Sequence, residues 1–171
     1  MKYLPFENFV LTTSLSVDEV RNRIINNIEP KKEFLVSASK NTSKPYEGTF
    51  FNNKFKISRV INYRNSFLPV IIGEISQDWG KTEIKIKMRP IIFILIFDII
   101  WLGITGAVCI TVLVVAILTF KDFFRDGFSP VVLIPFGMFI FGYLLTTLGF
   151  KYESKISKEF LKTLFEAQYK D

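Results

Sequence analysis

Two long apolar stretches constrain this chain more than any other feature. Residues 91–120 contain Asp98 as their only charged side chain, and residues 128–150 contain none. A helix needs about 20 apolar residues to cross a hydrocarbon core of ~30 Å, so each stretch can cross, with spans expected at about 97–120 and 128–150. The short connector makes the two helices antiparallel neighbours. The 171-residue chain therefore divides into a soluble module at 1–90, a transmembrane hairpin at 91–150 and a terminal segment at 151–171.

The basic residues sort by side. Lys81, Lys85, Lys87 and Arg89 precede the first stretch and Lys151, Lys155, Lys158 and Lys162 follow the second, while Lys121 and Arg125 in the connector are countered by Asp122 and Asp126. The positive-inside bias then places both termini in the cytoplasm and residues 121–127 outside, as in a multi-pass protein of the inner (cell) membrane. Residues 1–14 lack a continuous apolar core, so no cleavable signal is expected there. Asp98 has two readings. A span beginning at Ile99 leaves it at the inner boundary; a span beginning at Ile91 puts it roughly 10 Å deep, where a carboxylate needs a partner. The boundary placement is preferred, because neither stretch offers a second ionisable residue. Gly103 and Ala107, and Gly142 and Thr146, are small residues four apart that permit close helix approach. Pro130 can start the second helix, and Pro135 within it is expected to bend it.

Absences narrow the chemistry. There is no His, and the one Cys, Cys109, lies inside the first apolar stretch, where it reads as a small apolar filler. A His-dependent triad, a His proton shuttle, a Cys/His zinc site and an intrachain disulfide are all excluded for the single chain. No Gly-rich phosphate loop, nucleophile elbow, spaced catalytic carboxylates or metal-ligand cluster appears in the sequence. A non-enzymatic protein with no catalytic residue, no metal site and no cofactor is expected. The formal charge of +6 is read as attraction to anionic lipid headgroups, with no nucleic acid partner.

The soluble parts alternate strand patterns with turn signals. Phe9, Leu11 and Thr13 fit a first strand. Ser16 and Glu19 form a capping box for a helix with Val17, Val20, Ile24 and Ile28 on one face, stopped by Pro30. A strand is expected at 33–37, followed by a hairpin of 46–51 and 54–61 around Asn52-Asn53. Phe55, Ile57, Arg59 and Ile61 share its apolar face. Residues 68–75 form the next strand, with a bulge or close approach at Gly73, and Asp78-Trp79-Gly80 makes the following turn. In the last strand Ile84, Ile86 and Met88 oppose Lys85, Lys87 and Arg89. A terminal helix at 153–168 carries Ile156, Phe160, Leu164 and Ala167 as its apolar stripe, to be docked on the sheet or laid on the membrane surface. The expected class is α+β: an antiparallel sheet with an N-terminal and a C-terminal helix, interrupted by the inserted hairpin.

This element order resembles helix-grip domains of the START or polyketide-cyclase type, which implies a curved sheet around a long terminal helix. The stretch from Phe55 through Arg59, Asn62 and Asn65 to Pro69, with Gly48 before it and Gly73 after it, also resembles a family of small uncharacterised bacterial membrane proteins with two transmembrane helices. That resemblance implies architecture and no activity.

Two groups of residues stand out as candidate binding sites. Arg59, Tyr63, Arg64, Asn65 and Ser66 bring together cations, hydrogen-bond donors and a stacking face suited to a phosphate or carboxylate; their bland alternative is a loop whose Asn and Ser satisfy local backbone groups. Arg59, on the apolar side of its strand, is expected to reach solvent or to pair with an acid such as Glu47 or Glu74. Lys85, Lys87 and Arg89 form a basic row at the membrane surface. The expected function is a membrane-tethered module that binds a lipid or small ligand between sheet and terminal helix, with membrane lipids as partners. The alternative is a structural or interaction subunit, as a homo-oligomer or with a membrane protein partner. A small channel is the weaker third class.

Overall fold

The computed structural model describes residues 4–30, 44–119 and 129–170. Its elements follow in the order β1 (Glu7–Thr13), α1 (Val17–Asn27), β2 (Ile28–Pro30), β3 (Tyr46–Phe51), β4 (Lys54–Arg59), β5 (Val70–Asp78), β6 (Lys81–Arg89), α2 (Ile92–Leu118), a 3-10 turn (Pro130–Leu133), α3 (Ile134–Leu164) and β7 (Gln168–Tyr169). They form two compact units, Met1–Ile91 with Gly149–Asp171, and Ile92–Leu148. The class is α+β with a helical hairpin, and Ile92–Leu118 and Pro130–Leu164 are both long and apolar enough to cross a membrane.

Among the described residues the first unit is built on a seven-stranded sheet in the order β2-β3-β4-β5-β6-β1-β7. Its meander β3 to β6 rests on two tight turns. Asn52 and Asn53 both adopt positive φ (46° and 59°), as do Trp79 and Gly80 (46° and 76°), the geometry that lets a two-residue turn follow the strand twist. The sheet is mixed rather than purely antiparallel, because β2 pairs parallel with β3 through Ile28 and Tyr46. Ile28, expected on the helix face, instead starts that strand. Helix α1 keeps its cap, Ser16 Oγ accepting from the Glu19 amide at 3.2 Å, and buries Val20 and Ile24. The strand expected at 33–37 lies outside the described residues.

Alternation places Phe55, Ile57, Ile71, Ile75, Ile84, Ile86 and Met88 on the covered face of the sheet, where they pack with Val20 and Ile24 of α1, with Phe150 and Leu161 of α3 and with Phe165 just after it. Each large apolar chain buried there contributes about 1.5–3 kcal/mol. Gly73 is a close approach and not a bulge: its register with Phe55 and Ile86 is unbroken, and a Cβ at this position would overlap the Phe55 ring.

The terminal helix differs from expectation in three ways. It does not begin at residue 153 but is the continuation of α3. It stops at Leu164, where Glu166 at φ 48° closes a Schellman cap, its amide donating to Thr163 O at 3.2 Å and the Ala167 amide to Lys162 O at 3.0 Å. Gln168 and Tyr169 then leave as β7 along β1. Its most buried side chains are Glu153, Ser154, Ser157, Leu161 and Phe165, while Ile156, Phe160 and Leu164 are half-buried. Small serines let the helix approach the sheet: Tyr46 Oη donates to Ser157 Oγ at 3.2 Å and Ser154 Oγ to Met88 Sδ at 3.4 Å. This part of α3 therefore lies on the sheet. At its start, Glu7 accepts from Lys151 at 2.6 Å and from Lys158 at 2.7 Å.

The second unit pairs α2 with the first part of α3 in antiparallel register. Thr146 Oγ1 donates to Asp98 Oδ1 at 3.0 Å, a Cβ on Gly142 would meet the Trp101 ring at 2.9 Å, and one on Gly106 would meet Phe139 at 3.3 Å. The seam on α2 also holds the buried Thr105 and Cys109. Gly103 and Ala107, expected at the close approach, face outward instead. Pro135 sits in the first turn of α3, where its missing N–H has no intrahelical partner to lose, so it marks the entry to the helix rather than a bend within it. Helix α2 starts well before Asp98, whose carboxylate lies in the seam, with Oδ2 buried and without a partner among the described residues. The connector residues Lys121, Asp122, Arg125 and Asp126 lie outside the described residues.

Candidate functional site

Arg59 ends β4 on the covered face, in register with Tyr46 and one step beyond the core residue Ile57. An arginine in this position needs an acid, and α3 supplies it. Arg59 Nη1 donates to Glu153 Oε2 at 2.7 Å. The Tyr63 hydroxyl donates to Glu153 Oε1, and Asn65 Nδ2 donates to the same oxygen at 3.3 Å. Asn65 is oriented by its other end, since its Oδ1 accepts from the Phe67 amide at 3.0 Å. Phe67 in turn packs where Gly149 leaves room, as a Cβ there would meet the ring at 2.9 Å. The loop at 60–69 is thus fastened to α3 at two points one helical turn apart.

The carboxylate of Glu153 has no exposed surface, whereas the Arg59 side chain is 26 % exposed. Burial works against the Arg59 charge, but the hydrogen bond and the charge of Glu153 outweigh it and hold the guanidinium protonated above its ordinary range. The Tyr63 phenol is raised, chiefly by its hydrogen bond to Glu153. Tyr46, beside the cluster, is raised by burial.

Of the five loop residues singled out in the sequence, the structure brings together Arg59, Tyr63 and Asn65. Arg64 and Ser66 are exposed and take no part in the cluster. The proposed acids Glu47 and Glu74 do not reach Arg59. Glu47 is in register with Ser58, and Glu74 pairs with Lys54 at 3.2 Å; both project from the opposite face. Glu153 was missed. A signal for it existed: it is the first acid after the apolar stretch, on the element expected to cover the face to which Arg59 points.

Lys85, Lys87 and Arg89 lie on the open face of the sheet, all exposed. A fourth cation joins them. Lys56 and Lys87 both stand opposite Ile72 in the ladder, one from each side, so the half-buried Ile72 sits between two lysine stems. Arg89 stands opposite Val70. Among the described residues none of these four cations has an acid within ion-pair distance. Glu74, which stands opposite Lys85 in the ladder, pairs with Lys54 instead, and Glu83 and Asp78 pair with Lys170. Also among the described residues, no three acidic or sulfur side chains stand close enough to hold a metal ion.

Comparison with protein-family models, with curated proteins and with solved structures finds no match to this chain.

Proposed function

We propose that this chain is a two-span protein of a bacterial inner membrane, with both termini in the cytoplasm, and that its α+β unit is a non-enzymatic module binding anionic lipid headgroups through the open face of its sheet. The observation that carries this reading is the group Lys56, Lys85, Lys87 and Arg89 around Ile72 and Val70, without an acidic partner among the described residues. Arg89 lies three residues before α2 begins at Ile92, so by chain length alone it stays within about 10 Å of the start of that helix. Each cation close to an anionic leaflet gains about 1 kcal/mol, and long lysine stems can lie over Ile72 while their charges reach phosphate. The space between sheet and terminal helix supports the same choice, because it is filled by Tyr46, Phe55, Leu161 and Phe165, all essentially without exposed surface. Tyr63 and Asn65 of the loop at 60–69 are committed to Glu153, as is Arg59.

The experiment is lysine acetylation of the full chain in nanodiscs, read by mass spectrometry. Lys56, Lys85 and Lys87 should react more slowly in discs containing phosphatidylglycerol than in phosphatidylcholine alone, with Lys54 unchanged, and high salt should remove the difference. Equal rates in the two lipids would dismiss the reading.

A second reading, an interaction subunit in a homo-oligomer or membrane complex, is favoured by the turn at the opposite end of the sheet. Trp79 is 99 % exposed there, although Trp is a residue type that anchors protein interfaces. Photo-crosslinking from position 79 in native membranes should trap a partner; monomer alone would exclude it.

A further inference from the structure

We propose that Arg59, Tyr63 and Asn65 form a carboxylate receptor in their own right, which Glu153 fills in cis, and that a free carboxylate takes the same place when the Glu153 side chain is removed. The alternative is an ion pair whose two halves exist only together. The distinction lies in what holds the donors.

The backbone that carries each donor is positioned by contacts that do not involve Glu153. Arg59 is fixed by the β3–β4 ladder opposite Tyr46, and the chain just beyond it is held by the Val60 amide donating to Pro45 O at 2.9 Å. Asn65 is set by its own bond to the Phe67 amide, and Phe67 is seated against Gly149. Tyr63 stands between these two anchors, close enough to accept from Arg59 Nη1 at 3.5 Å. Three donors therefore converge on one point from a backbone scaffold whose own bonds do not need the occupant. Such preorganisation is what separates a binding site from a coincidental pairing.

The entrance is also present. Arg59 is partly exposed and Tyr63 is 51 % exposed, while the carboxylate beneath them is fully covered. The ligand class follows from shape. Replacing Glu153 by Ala removes Cγ, Cδ and both carboxylate oxygens, the same set of heavy atoms as acetate. In the native chain the tethered carboxylate has the advantage of a high effective concentration, so the receptor shows itself when emptied. This inference does not rest on the lipid-binding reading, which concerns the other face of the sheet.

The test is thermal unfolding of the full chain in mild detergent, titrated with sodium acetate or with sodium chloride at matched ionic strength. Glu153→Ala should be stabilised saturably by acetate, with half-saturation on the order of 10 mM for so small a ligand, and not by chloride. The wild-type chain and the double variant Arg59→Ala/Glu153→Ala should show no acetate-specific effect. Should Glu153→Ala not survive purification, the yield of monodisperse protein prepared in acetate or in chloride reads the same property, with acetate expected to raise it. Equal responses to the two salts, or an acetate effect that persists without Arg59, would overturn the receptor.

Discussion

Arg59 Nη1 lies 2.7 Å from Oε2 of Glu153, a carboxylate with no exposed surface, across 94 positions of sequence. The pair joins the end of a sheet strand to the helix that follows the second apolar stretch. Its charges are unequally placed, one buried and one at the rim, and that asymmetry decides what each substitution does.

Removing Arg59 leaves Glu153 buried with only the neutral donors Tyr63 and Asn65. Breaking a buried pair from one side typically costs about 3–5 kcal/mol, and Arg59→Ala is expected in that range. Arg59→Met/Glu153→Leu, which removes both charges and keeps the volume, should recover most of the loss. Equilibrium unfolding of the single and double variants in mild detergent measures both. A double variant no better than Arg59→Ala would mean that the charges themselves are not the source of the cost.

Glu7 provides a pH dependence. Burial raises its pKa, but hydrogen bonds and charge from Lys151 and Lys158 outweigh burial, and the net result lies below the ordinary 4.5. A carboxylate depressed in the folded state stabilises fully above its unfolded pKa, and that contribution is lost as pH falls through the folded value. Wild type should therefore exceed Glu7→Gln in stability at neutral pH, with the difference shrinking progressively below about pH 4.5. Melting temperatures of the two proteins across the acid range measure this, and a gap that widens on acidification would contradict the assignment.

Trp79 occupies a left-handed position, φ 46°, with its ring almost wholly in solvent. Bulky residues pay about 1–2 kcal/mol in that region, whereas Asn before Gly is the preferred sequence for such a turn. Trp79→Asn should stabilise the protein by about 1 kcal/mol, seen as a higher melting temperature. If the chain engages a partner through this turn, the same variant should lose crosslinking while gaining stability.

The strands were legible where one face alone had to be dry. In β6 every second residue is charged, so register and face followed directly, and Asn52-Asn53 announced the hairpin because both positions need positive φ. In the terminal helix hydrophobicity is a poor guide to burial. Ser154 and Ser157 are buried since their small side chains allow close packing on Met88 and Tyr46, and Ile156 is left half-exposed. Strand β7 is two residues long and carries no periodicity, and Ile28 fitted the helix period as well as a strand. Arg59 could have been solved further: alternation alone sends Glu47 and Glu74 to the other face, leaving only acids on elements that cover the sheet. What no local pattern supplied was the meeting of Arg59 with Glu153, which depends on how far the helix travels past the apolar stretch before it reaches the strand.

Gly73 tests the packing under that helix. It lies between Phe55 and Ile86 in the ladder, with its face of the sheet turned to the core, and the end of the Phe55 ring occupies the space where a Cβ would stand. Phe55 itself contacts Phe165, the residue after α3, at a ring separation of 6.4 Å, so it cannot retreat without disturbing the end of the helix. Gly73→Ala should cost about 1–3 kcal/mol as an overpacked core, despite the better strand propensity of alanine. Phe55→Leu shortens the side chain where the methyl arrives. In that background Gly73→Ala should be nearly neutral, giving a favourable coupling of at least about 1 kcal/mol in a double-mutant cycle. Strict additivity of the two substitutions would show that the ring does not rest on Gly73, and the close approach assigned to this strand would then be wrong.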